Sequence, residues 1–341
     1  MTTPVRCDLA ITRAAVMPFD GRSRVIRDCD VVINSGRIVA IGVAAARSFS
    51  AGRIIDGREL VVIPGLSNAH THSTETLARG LADARPFAQW IEAVWTRLDA
   101  LNAEMLAVGV QLAAAEMLHG GVTSVVDHFR QTPPRADAID AAAQAWLATG
   151  MRATLAIMLR DRGVPAWVGA SSRDDFDIDR QLALCDGATA RWDIGDKRLN
   201  VALGPSSPTR CSDRMLTGIK ALANARNLRI HMHVDETRDD AALSRSVDGS
   251  TAITRLDVLG LLGPHPALER EGQGDDGDDQ DVELGGDVGD DRRRTRAGPA
   301  AQARGQEDHV GALEDLEEPL RVLHGRLLAH LGVLARLGGF G

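Results

Sequence analysis

Tyrosine is absent from the 341 residues, and Phe and Trp together bring the aromatic content to only 3%. Such a chain offers few rings on which bases stack, and a net charge of −8 with a pI near 5.7 supplies no basic field for a phosphate backbone. Both absences argue against nucleic acid as a partner. Cys7, Cys29, Cys185 and Cys211 show no CxxC spacing, so neither a disulfide framework nor a thiolate zinc site is indicated. No apolar run is long enough to cross a bilayer, and the first sixteen residues lack the charged start, apolar core and cleavage site of a secretory signal. The expectation is a cytoplasmic protein with no membrane partner. No GxGxxG or GxxxxGK[ST] turn follows a predicted strand, which removes the main support for dinucleotide and P-loop chemistry.

What is present centres on Val61–Ser73, VVIPGLSNAHTHS. Three β-branched residues predict a short buried strand that Pro64-Gly65 terminates. His70 and His72 follow, one residue apart, and extended backbone points both imidazoles to one face, where they either converge on a divalent ion or stand as two surface histidines. Before this stretch, residues 4 to 58 read as short β pieces separated by Gly, Asp and Asn turns. After it, a helical region is predicted from Pro86 to Leu118, then strands at 122–128, 153–159, 199–204 and 228–234 alternating with helices. Apolar strands alternating with helices indicate a parallel sheet covered on both faces, and a (β/α) barrel is the leading architecture.

The last of those strands, LRIHMHVDET, carries a second HxH pair, His231 and His233, with Glu236 three residues beyond. Alternation would place His231, His233 and Asp235 on one face, with His233 at the same rim as the first pair. His231 reads as a packed core histidine with a polar partner and His233 as a ligand. Three neutral imidazoles hold a divalent ion with a position open to water, whose pKa falls toward neutrality, and Glu236 is placed to move a proton. His128, closing the strand VVDH, reads either as a substrate-binding residue or as a hydrogen-bonded structural one. His119 sits where a helix C-terminus favours positive charge. Trp90 and Trp95 are either a pocket wall or core packing.

The pieces VVIPGLSNAHTHS, LARGLAD, AAEMLHGGVTSVVDH, LGPSSPTRCSD and HMHVDET, in that order between Asp8 and Pro264, resemble the amidohydrolase superfamily. The likeness is to the metal-dependent aminohydrolases that include methylthioadenosine/S-adenosylhomocysteine, guanine and 8-oxoguanine deaminases and triazine hydrolases. It implies an α/β fold, a (β/α)8 TIM-type barrel that is incomplete here, with a small N-terminal β-sandwich portion. It also implies His70, His72 and His233 as metal ligands, Glu236 as catalytic proton shuttle, and a small heterocyclic substrate. LNVALGPS has no Lys, unlike the two-metal branches that use a carbamylated lysine, so one divalent ion is expected, zinc in first place and ferrous iron second. Family members often dimerise, which leaves homo-oligomerisation open.

The pattern then stops. After LGLLGPHPAL, no counterpart exists for the family's histidine after a sixth strand or its aspartate after an eighth; neither His265 nor Asp308 stands in a matching context. From Arg270 to Gly341 there is no Ile, Met, Ser, Asn, Lys, Cys, Trp or Tyr, and only Thr295 and Phe340 require codons beginning with A or T. A GC-rich gene read out of register gives such an alphabet, and resequencing the coding DNA would decide between that origin and a genuine low-complexity tail. The expected organisation is a β-rich portion over 1–58, a partial hydrolase barrel over 59–268 and a low-complexity tail over 269–341. The expected function is hydrolysis of a carbon–nitrogen bond other than a peptide bond, by deamination of a purine, pyrimidine or triazine-like ring. An inactive remnant that binds at most a metal or a partner chain is the alternative, and poor solubility is expected of a barrel with an open edge.

Overall fold

β-branched and apolar residues in the first 62 positions alternate with turn formers, and in the computed structural model they build a sheet of five strands. The structure describes residues 4–131, 134–163, 177–193, 198–262 and 268–271. Strands β1 (Val5–Val16), β2 (Ile26–Asn34), β3 (Arg37–Val43) and β4 (Phe49–Asp56) lie in the order β3-β2-β1-β4, and β5 (Val61–Val62) pairs with β1. Ser35 and Gly36 join β2 to β3 with φ of 50° and 71°, the paired positive values that a tight hairpin turn requires. One face buries Ile11, Val16, Cys29 and Val31, whereas Ile38, Val43 and Ile54 remain exposed. The buried Asp30 carboxylate ties this sheet to its loops, accepting from the backbone N–H groups of Arg13 and Ala46, each at 2.9 Å.

The run at Val61 therefore does not open the barrel, contrary to expectation. Val61 and Val62 pair in register with Ala15 and Val16. Pro64 has no N–H to extend that ladder, and beyond Gly65 the chain enters a second compact unit as β6 (Leu66–Thr71). His70 consequently lies on a barrel strand and His72 immediately after it.

The second unit is a six-stranded parallel sheet in chain order: β6, β7 (Val122–Phe129), β8 (Arg152–Leu159), β9 (Leu199–Pro205), β10 (Ile230–His233) and β11 (Leu268–Glu271). Helices fill each crossover. The single helical region expected from Pro86 is two helices, α1 (Phe87–Leu98) and α2 (Ala103–His119), parted at Asp99–Asn102, where the Asn102 side chain accepts from the backbone N–H of Met105 at 2.9 Å and so starts the second. Then come α3 (Ala136–Thr149), α4 (Ile178–Trp192), α5 (Asp213–Arg226), α6 (Arg238–Asp248) and α7 (Ala252–Val258). Asp177, Ser212, Thr237 and Thr251 cap the last four, each side chain accepting from the N–H three residues on.

Between helices and sheet lie Phe129, Trp146, Leu155, Ile157 and Leu203, all essentially inaccessible. Each such aliphatic or aromatic side chain contributes about 1.5–3 kcal/mol by burial. Because the strands are parallel, their carboxyl ends share one rim, which collects His72, Arg130, Arg160, Ser206 and His233. The fold is thus α/β, a curled parallel sheet that matches an incomplete TIM-type barrel. Sequence patterning revealed five strand-helix units; β11, paired to β10 from Ile230↔Leu268 to His233↔Glu271, adds a sixth strand. Residues 272–341, including most of the expected low-complexity tail, lie outside the described residues. Among the described residues no helix is long and apolar enough to cross a membrane.

Candidate metal centre

Two strand ends bring the two HxH pairs together. His70, His72 and His233 each present one ring nitrogen, all within 4.8 Å of one another, and the ring centroids of His70, His72 and His233 lie 4.8 to 5.1 Å apart. The orientation of two of them is fixed from behind. His72 Nδ1–H donates to the His128 carbonyl oxygen at 2.7 Å, and His233 Nδ1–H donates to that of Ser206 at 3.0 Å. A carbonyl only accepts, so each Nδ1 carries the proton and each neutral ring is left with a bare Nε2 lone pair. Those two Nε2 atoms face one another at 3.2 Å. Two lone pairs at that distance repel, and a cation between them removes the conflict, so the donor set fits a divalent ion.

Burial keeps His70, His128 and His233 neutral. It pushes His70 down to about 3, with the neighbouring His72 and His231 adding to the effect, and holds His128 and His233 well below the ordinary histidine range. A histidine whose folded pKa is depressed binds fewer protons than the unfolded chain below pH 6.5, so its stabilising contribution is complete above that value and is lost as pH falls. The metal-free protein is expected to lose thermal stability steadily between pH 7 and pH 5. A melting temperature that is flat over that interval would contradict the assignment of three buried neutral rings.

His231 takes the role of a packed histidine with a polar partner. It is 2% exposed, and its Nε2 lies 2.8 Å from His70 Nδ1. It also forms, with His70 and His128, a second trio of nitrogens within 4.8 Å. His128 is fully buried and its Nε2–H donates to the Gly204 carbonyl at 3.1 Å. It is not among the residues that line the cavity described below. Gly204 is required beneath it, since an added Cβ would meet the imidazole at 2.7 Å. Asp235 does not continue the strand face expected of it. β10 ends at His233, Asp235 turns the chain with φ of 51° and is exposed, and the next residue is Glu236.

A cavity of about 300 Å³ opens on the centre, lined by His72, His233, Glu236, Arg210 and, from α1, Trp90 and Trp95. The two tryptophans therefore form a pocket wall. Burial raises the Glu236 carboxyl against the pull of Arg210. Sequence reasoning missed Arg210, on the turn Pro208–Arg210 after β9, because an arginine in a loop is ordinarily a solvated one.

It also passed over Asp127, which is wholly buried and accepts from Ser73 N–H at 3.0 Å, Ser73 Oγ at 2.6 Å and Trp146 Nε1 at 2.9 Å. Burial pushes its carboxyl up while these donors pull it back. The carboxylate thereby clamps the residue after His72 to β7 and α3. Asp127→Ala would strand three buried donors at about 1–3 kcal/mol each. The expected loss is about 3–5 kcal/mol, read from urea unfolding midpoints, and a loss under about 1 kcal/mol would show that the clamp does not hold.

Residues 61–265 match the amidohydrolase family model. The chain is 33% identical over 240 residues to the 5′-deoxyadenosine deaminase of Methanothermobacter thermautotrophicus, covering 70% of this chain and 52% of that protein. Among solved structures, an adenosine deaminase from Xanthomonas campestris with bound zinc superposes with a TM-score of 0.66 at 32% identity, over 76% of this chain and 56% of that one. The zinc complex of atrazine chlorohydrolase TrzN from Arthrobacter aurescens gives 0.66 at 26% identity, over 74% and 58%. The chain belongs to the amidohydrolase family, whose members are metal-dependent. It spans about half the length of the relatives it matches.

Proposed function

We propose that the protein is a metal-dependent aminohydrolase that deaminates a purine-like or triazine-like ring in the cytoplasm. The carrying observation is the pair of facing Nε2 atoms on His72 and His233, each anchored through Nδ1, with His70 beside them. His70, His72 and His233 would hold one zinc ion, which when bound makes water acidic enough to serve as a nucleophile near neutral pH. Glu236 takes a proton from the attacking water and delivers it to a ring nitrogen. The water oxygen adds to the ring carbon, its second proton passes to the exocyclic amino group, the exocyclic carbon–nitrogen bond breaks as the ring carbonyl forms, and ammonia leaves. Trp90 and Trp95 supply flat apolar walls for the ring. Residues 1–65, with Val61 and Val62 paired to β1, are assigned to a composite β-sandwich and 66–268 to the barrel.

A specific observation favours the second reading, an inactive remnant. Among the described residues no carboxylate joins the histidine trio, although the family supplies an aspartate there. One experiment separates the two. The full chain is loaded with zinc, its metal content is measured, and ammonia release is followed with adenosine nucleosides, guanine and aminotriazines. Bound ion with ammonia release supports the enzyme, bound ion with none on any ring supports the remnant, and no bound ion overturns the enzyme reading.

A further inference from the structure

Backbone carbonyls anchor His72 and His233, whereas the third candidate ligand, His70, is held by a side chain. His70 Nδ1 lies 2.8 Å from His231 Nε2, across 161 positions of sequence. His231 precedes His233 by two residues on β10, a strand whose four residues are all buried. One strand therefore supplies a ligand at the rim and, two residues deeper on the same face, a contact to a ligand that comes from β6.

The spacing identifies that contact. Two nitrogens bound to one tetrahedral zinc, each about 2.0–2.1 Å from it, stand about 3.3 Å apart. His72 Nε2 and His233 Nε2, at 3.2 Å, meet that condition. At 2.8 Å the nitrogens of His70 and His231 are too close for it and share a proton instead. A shared proton allows two arrangements. If His231 Nε2–H donates, His70 accepts at Nδ1, carries its own proton on Nε2 and has no lone pair left for an ion. If His70 Nδ1–H donates, His70 Nε2 stays bare, as it does on His72 and His233. We infer that His231 is a positioning residue, which accepts the His70 Nδ1 proton and thereby commits His70 to ligation through Nε2. The inference rests on the metal centre of the aminohydrolase reading and deepens it. A carbonyl can only accept, so the backbone fixes His72 and His233 outright; an imidazole accepts at Nε2 only while its own proton sits on Nδ1, so His70 is set by a second tautomer. Position 231 consequently demands a side chain that accepts where Nε2 lies.

Nitrogen-15 spectra of the histidine rings distinguish protonated, bare and metal-bound nitrogens and so read the tautomer without turnover. In the metal-free full chain, His70 is expected to carry its proton on Nδ1 before any ion arrives. His231→Phe fills the space but accepts nothing; it should move His70 toward the Nε2–H form and weaken zinc binding, measured by competition with a chelator, roughly 10- to 100-fold. His231→Gln places an amide oxygen near the lost nitrogen and should recover most of that affinity, a rescue that packing alone does not supply. A His70 protonated on Nε2 in the unmodified metal-free protein overturns the inference even if neither variant folds. Undiminished zinc affinity in folded His231→Phe also overturns it, as does a folded His231→Gln that binds zinc no better than His231→Phe. In each of those cases zinc still binds the unmodified chain and only this inference falls. If the unmodified chain binds no zinc, it falls together with the aminohydrolase reading.

Discussion

Replacing His233 with alanine is expected to lower bound zinc from about one ion per chain to less than about a tenth of that, because two imidazoles do not complete a site built on three. The ring offers Nε2 only because Ser206 holds its Nδ1–H, and it faces His72 Nε2 at 3.2 Å. Loss of an outer hydrogen-bond partner costs metal sites roughly 10–100-fold in affinity, and deletion of a ligand should exceed that. A linked stability effect gives an independent readout. Zinc at about 1,000 times its dissociation constant should stabilise the unmodified protein by about 4 kcal/mol. In His233→Ala that increment should disappear, while the metal-free variant loses little, since removing one ring relieves the opposed lone pairs. Scanning calorimetry with and without zinc measures both. Undiminished zinc content in the variant would remove His233 from the ligand set.

Glu236→Gln is expected to leave zinc bound and to reduce ammonia release about 10²- to 10⁴-fold, the range over which a positioned proton carrier acts. Glutamine keeps the shape of the side chain and its place in the cavity wall but carries no titrating proton. Glu236 must be ionised to accept the first proton. Since burial raises its carboxyl above 4.5, the acid limb of the rate profile should lie above the ordinary carboxylate range. The profile of the residual activity should lose that limb in the variant. Full activity in Glu236→Gln would assign the proton transfer to another group, and loss of zinc would show a structural role.

The barrel strands and helices were largely legible because their apolar periodicities differ. α5 falls on the expected residues, 213–226, and β7, β8 and β9 within about a residue of theirs. The run at Val61 was misplaced because a β-branched triplet states that a strand forms, not which sheet it joins; pairing with β1 decided that. Asp235 was misassigned because alternation predicts a face only while the backbone stays extended, and its left-handed turn ends the strand face.

His70, His72, His233 and Glu236 could be picked out as candidates from the sequence alone, because two HxH pairs at predicted strand ends share a face through backbone geometry and the surrounding motifs resemble those of the aminohydrolases. Only the tertiary structure decided which nitrogen each ring presents, the depth at which Asp127 clamps Ser73, and the meeting of Arg210 with Trp95. Those features join residues 27 to 115 positions apart, and no local periodicity encodes a contact that only the closing of a sheet creates.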